Sequence, residues 1–161
     1  MGGIGVVDFR TDPHAPSRGA STRPSVTAWS SAAVQQTLRA GRPAFVYFTA
    51  DWCITCKLNE SRVLEDPRVQ QAFTRLDIPV FRADWTRRDE TIRGTLATLG
   101  KAGVPAYVLY QPQDPDRPRV LPELLSVKGL LESLEQARPP AQARVRRNPP
   151  LATPGIIEAR S

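Results

Sequence analysis

One six-residue run limits the fold more than any other feature of the chain. Ala44-Phe-Val-Tyr-Phe-Thr49 is apolar, aromatic and β-branched with no polar alternation. A run of that kind reads as a strand covered on both faces. Such a strand needs a layer of helices on each side of its sheet. The neighbouring segments supply them. Ser30 or Ser31 caps a predicted helix to about Ala40, closed by Gly41 with Pro43 behind it. A second helix is predicted from about Cys53 to Leu64, and Asp66-Pro67 starts a third with a cap and a first-turn proline. Ile78–Ala83 reads as the next strand, and Thr86-Arg-Arg-Asp89 as a capping box opening a helix through Ile92, Leu96 and Leu99. Pro105–Tyr110 is a third strand, Gln111–Pro118 a turn region and Arg119–Leu121 a short fourth strand. Ser126 opens the last helix. The alternation is α/β, with a mixed sheet of about four strands flanked by helices.

The ends have a different composition. Residues 1–25 and 138–161 hold half of the sixteen prolines and no apolar period, so both are expected to be flexible, around a folded domain at 26–137. The formal charge of +6 invites nucleic acid as a partner. Most of it lies in the tail, where Arg138, Arg144, Arg146, Arg147 and Arg160 face only Glu158. The domain itself is left near neutral, and nucleic acid drops out. The longest apolar stretch, Pro43–Ala50, is far below the ~20 residues of a membrane span. The first residues lack the charge and apolar pattern of a secretory signal.

Chemistry enters at Cys53-Ile-Thr-Cys56, where the buried strand hands over to a helix. A helix N-terminus presents unpaired N–H groups and a partial positive charge, and both favour a thiolate. Cys53 is the expected nucleophile. Cys56, one turn on, is the expected resolving thiol of a dithiol–disulfide exchange. A purely structural disulfide would close a very short loop and stabilise little. Zinc needs about four ligands, and the chain adds only His14, which reads as a linker residue. No metal and no cofactor beyond the Cys53–Cys56 pair is expected.

The flanks carry a resemblance. Phe48-Thr-Ala-Asp-Trp-Cys-Ile-Thr-Cys-Lys-Leu-Asn-Glu60, Gly41-Arg-Pro43, Asp66-Pro67, Ala83-Asp-Trp-Thr86, Gly103-Val-Pro105 and Val120-Leu-Pro-Glu-Leu124 resemble a thioredoxin-like domain. The variant is that of the C-terminal periplasmic domain of DsbD-type thiol:disulfide interchange proteins and their copper-sensitivity-suppressor relatives. The resemblance covers roughly residues 29–137. It implies a thioredoxin-like fold with Cys53 and Cys56 at the first core helix. It implies a cis bond at Pro105, with Val104 pairing to an incoming substrate strand and Trp52 presenting an aromatic contact to it. Glu60 is implied as the acid near the buried cysteine. Asp51 is expected to tune the site or to cap the helix. Tyr47 departs from the pattern, because relatives carry a buried aspartate there. A phenol, with an ordinary pKa of ~10, is a poor base near neutral pH. Lys57 is given no role, and Asp84, Trp85 and Thr86 are explained as well by strand-end packing and capping.

The implied activity is a protein-disulfide reductase, passing electrons from a membrane donor domain to a periplasmic acceptor. Two other functions stay open on the same residues. One is a disulfide oxidant or isomerase, which differs only in reduction potential. The other is a non-catalytic module binding soft copper through two thiols. A periplasmic location follows from the resemblance, with a free-standing cytoplasmic protein as the alternative.

Overall fold

The computed structural model describes residues 24–137. The expectations for residues 1–23 and 138–161, His14 and flexible ends included, lie outside the described residues. The elements run β1 (Val26–Ala28), α1 (Ser31–Arg39), β2 (Ala44–Thr49), α2 (Ile54–Asn59), α3 (Pro67–Arg75), β3 (Val80–Asp84), α4 (Glu90–Thr98), β4 (Ala106–Gln111), β5 (Asp114–Leu121) and α5 (Val127–Gln136). A π-helical turn, Glu60–Leu64, extends α2. The strands form one sheet in the order β1-β3-β2-β4-β5. β3 lies parallel to both β1 and β2, whereas β2–β4 and β4–β5 are antiparallel.

The central strand explains its own composition. All six residues of β2 are buried, because both faces are covered. Phe45 and Tyr47 point to one face with Tyr107 and Leu109, under Val69 and Phe73 of α3 and Leu130 and Leu134 of α5. Val46 and Phe48 point to the other with Val108, against Val34 of α1 and Ile92 and Leu96 of α4. Each such large apolar side chain contributes roughly 1.5–3 kcal/mol on burial. Capping fixes where the helices begin: Ser30, Asp66 and Ser126 each accept a backbone N–H of their first turn. Gly41 and Gly100 follow α1 and α4 at φ +78° and +72°, a left-handed conformation that glycine adopts without penalty.

Three details differ from the sequence expectation. The sheet has a fifth strand, β1, whose three residues are all exposed. It has no apolar pattern to announce it and is set by pairing with β3. β5 begins at Asp114, inside the expected turn region, and carries Pro115 and Pro118. Both prolines are tolerated because β5 is an edge strand. The cap of α4 is Asp89 itself, accepting from Ile92 N–H at 3.0 Å. Thr86 instead joins a turn with Asp84, accepted by the Asp84 carboxylate at 2.9 Å from its N–H.

Candidate active site

The end of the central strand delivers the cysteines. Trp85 N–H donates to Thr49 O at 2.7 Å, which ties the ends of β2 and β3 together. Past Ala50 the chain turns, and Cys53 becomes the N-cap of α2, its sulfur accepting from Cys56 N–H at 3.2 Å. Cys53 and Cys56 are joined in a disulfide. Cys53 is 7% exposed and Cys56 0%, so Cys53 is the nearer of the two to the surface. The Val104–Pro105 bond is cis, and Val104 packs against Ala50, Cys53 and Cys56. The structure therefore brings Cys53, Cys56, Val104 and Pro105 to one place.

Asp51 does not cap α2, since the Cys53 sulfur occupies that position. Its carboxylate lies 3.6 Å from Lys57 and 3.9 Å from Arg82, and its N–H donates to Thr86 Oγ1 at 2.9 Å. Trp52 is about half exposed, with its indole N–H donating to Thr86 O at 3.2 Å. Its ring lies 6.0 Å from that of Trp85. Ile54 and Leu58, four residues apart and thus on one face of α2, are also exposed.

Beneath the disulfide, Glu60 sits one turn beyond Cys56 on the same face. Its carboxylate accepts a hydrogen bond from Thr49 Oγ1 and lies 3.8 Å from Lys57 Nζ. Tyr47 and Glu60 line the same cavity of about 290 Å³, with Glu65, Gln70, Phe73 and Pro24. Burial pushes the Tyr47 hydroxyl above its ordinary value, and the Glu60 charge adds to this. Tyr47 is thus a neutral phenol near physiological pH. Beside it, Asn59 is buried and donates to Tyr107 Oη at 2.9 Å and to Glu123 O at 2.7 Å. That pair of bonds fastens α2 to β4 and to the loop before α5.

Sequence reasoning missed Thr49 and Asn59 as parts of this site. Thr49 was legible in principle: it lies two residues after Tyr47, hence on the same face of β2. Asn59 carried no signal, because its partners are far away in the chain. The two sulfurs of the site are bonded to each other, and no group of three or more His, Cys, Asp and Glu among the described residues is placed to hold a metal ion. What the arrangement offers is a strand-to-helix turn with one slightly exposed cysteine, one fully buried cysteine and a carboxylate one turn behind.

Known proteins share these features. A family model described as thioredoxin-like matches residues 25–112. The thiol:disulfide interchange protein DsbD 1 of Pseudomonas aeruginosa is 34% identical over 108 residues, which is 66% of this chain and 18% of that protein. The DsbD of Ralstonia nicotianae is 31% identical over 112 residues, 70% of this chain and again 18% of the relative. The chain thus spans less than a fifth of the length of these relatives. The oxidised C-terminal domain of Neisseria meningitidis DsbD superimposes with a TM-score of 0.56 at 26% identity, covering 71% of this chain and 100% of that domain. A Thermus thermophilus thioredoxin shares the fold with a TM-score of 0.56 at 20% identity, covering 70% of this chain and 85% of its own.

Proposed function

Because the chain belongs to the thioredoxin-like family, we propose that Cys53 and Cys56 are the redox pair of a thiol–disulfide oxidoreductase acting on protein partners. The observation that carries this is the disulfide at the start of α2, with the more exposed sulfur in the capping position and Val104 packed on it. In the dithiol form, Cys56 N–H is a donor to whatever charge Cys53 carries, which favours the thiolate. The thiolate attacks one sulfur of a partner disulfide. A mixed disulfide forms and the partner's other sulfur leaves as a thiolate. Cys56 then loses its proton and attacks Cys53. The Cys53–Cys56 bond closes and the partner's second sulfur leaves. Two electrons and two protons pass to the partner.

Glu60 is the group we assign to take the Cys56 proton. Tyr47, where relatives carry an aspartate, is a neutral phenol and no base near pH 7. Trp52, Val104 and Pro105 form the surface against which the partner strand lies. Asp51, bridged to Lys57 and Arg82, tunes the charge of that turn. The direction we assign is reduction of partners. The physiological setting is a periplasmic domain of a membrane electron relay, drawing on the DsbD-named relatives. Among the described residues no helix is long and apolar enough to cross a membrane.

Equilibration against glutathione tests this reading. A reversible two-thiol titration with a potential near the thioredoxin value of about −270 mV supports it. A potential near the DsbA value of about −120 mV assigns the protein to oxidation instead. No redox-dependent thiol titration at all removes the exchange function.

A further inference from the structure

The strap between β3 and α4 leaves two arginines, Arg87 and Arg88, without a carboxylate partner among the described residues, and Arg88 is the one that stands over the tryptophan preceding Cys53. Asp84 is engaged by Thr86 and lies 3.4 Å from Arg82. Asp51 is bridged by Lys57 and Arg82, Asp89 caps α4, and Glu90 lies 3.3 Å from Arg93. Arg88 has no carboxylate partner among the described residues. Its guanidinium carbon instead stands 5.1 Å from the centre of the Trp52 ring and 5.5 Å from that of Trp85. Aromatic faces attract a cation but do not neutralise it. The side chain is exposed, so the charge faces solvent beside the residue that precedes Cys53.

The backbone is bent to put it there. Arg88 has φ +56°, a left-handed conformation that costs a non-glycine residue on the order of 1 kcal/mol. Its N–H donates to Trp85 O at 2.9 Å, and the Trp85 indole N–H donates to Asp89 O at 3.2 Å. Thr86 in turn accepts from Asp51 N–H and Trp52 Nε1–H through its side chain and carbonyl, so the strap and the CxxC turn are one hydrogen-bonded unit.

The geometry points to Arg88 as a specificity-determining residue: it selects partner polypeptides that carry a carboxylate next to the exchanging cysteine. This rests on the exchange function proposed above. A partner strand lying on Trp52 places its own flanking side chains over the ring that Arg88 covers. A rim charge of this kind acts mainly through encounter rate and is sensitive to salt.

The test uses the full chain in its dithiol form and two disulfide peptides that differ only in Asp or Lys beside the cysteines. In each turnover the peptide S–S bond breaks, the Cys53–Cys56 bond forms, and two electrons and two protons move to the peptide. The wild type is expected to reduce the acidic peptide about threefold faster than the basic one at low salt. High salt should erase the ratio. Arg88→Lys should keep it, Arg88→Gln should lower it and Arg88→Glu should lower it further. A ratio that is the same in wild type and Arg88→Gln overturns the assignment, as does a wild-type ratio insensitive to salt. Exchange with neither peptide removes the exchange function itself, and the assignment with it.

Discussion

On the inner side of α2, Tyr47, Thr49, Asn59 and Tyr107 are buried, and the Glu60 carboxylate accepts from Thr49 Oγ1 with Lys57 Nζ 3.8 Å away. On the outer side, Trp52 and Ile54 stand in solvent, and Asp51 of the CxxC turn, Arg82 and Asp84 of β3 and Arg88 of the strap bring their charges near it. The same two cysteines face both environments. Within the inner layer charges are screened less than at the surface, so electrostatic effects are stronger there. On the outer layer the same charges are screened and worth little each. The difference separates two tasks. On the roles proposed above, proton handling belongs to the inner side and choice of partner to the outer. Inner variants should therefore change the pH profile, and outer variants the dependence on salt.

The largest effect tests the premise that both sides serve one sulfur pair. Cys53→Ser should abolish exchange, and Cys56→Ser should accumulate mixed disulfides visible on non-reducing gels. Turnover surviving Cys53→Ser would remove the pair from the chemistry. Next comes Glu60→Gln. If Glu60 takes the Cys56 proton, the variant should slow resolution of the mixed disulfide by at least ~10²-fold, the lower end for a lost general base. The loss should shrink as pH rises and Cys56 ionises unaided. A pH-independent loss, or a changed response to salt, would collapse the distinction between the two sides.

The parts of this arrangement that could be read in the sequence are the local ones. The continuous run at 44–49 marked the central strand, Asp66-Pro67 marked the start of α3 to the residue, and the CxxC after a strand marked the sulfur pair. Each depends on neighbours in the chain. What escaped depends on distant partners. β1 exists because β3 offers it hydrogen bonds, and β5 extends through two prolines because its outer edge needs no donors. Asn59 is read as an ordinary helix residue until Tyr107 and Glu123 arrive from 48 and 64 residues away. Arg88 gives no sign of its left-handed backbone, since arginine has no preference for that conformation.

Asn59 supplies the third prediction. Its amide donates to the buried Tyr107 hydroxyl and to the Glu123 carbonyl at once, so Asn59→Ala removes both bonds and leaves the Tyr107 hydroxyl without that donor in the interior. The cost should be ~1–3 kcal/mol in denaturant unfolding. Because the bonds join α2 to β4 and not to the strap, the preference between acidic and basic partners should persist. A shift in that preference would mean the two sides are mechanically coupled.

Tyr107→Phe gives the smallest effect. It removes one acceptor from Asn59, which keeps its bond to Glu123, so stability at neutral pH should fall by only ~0.5–1.5 kcal/mol. The informative part is the alkaline limb. Burial pushes the Tyr107 hydroxyl from 10.0 to about 12, against the opposing pull of the Asn59 hydrogen bond. The folded state therefore holds this proton over a range where the unfolded chain has released it. The associated stability is complete below pH 10 and is lost as pH rises toward about 12. Tyr107→Phe should flatten that loss, although not remove it, because burial raises Tyr47 and Tyr110 in the same direction. Stability measured by denaturant at stepped alkaline pH reads this directly. An alkaline limb equally steep in both proteins would show that the Tyr107 hydroxyl is hydrated in the fold, and the inner side less dry than its hydrogen bonds require.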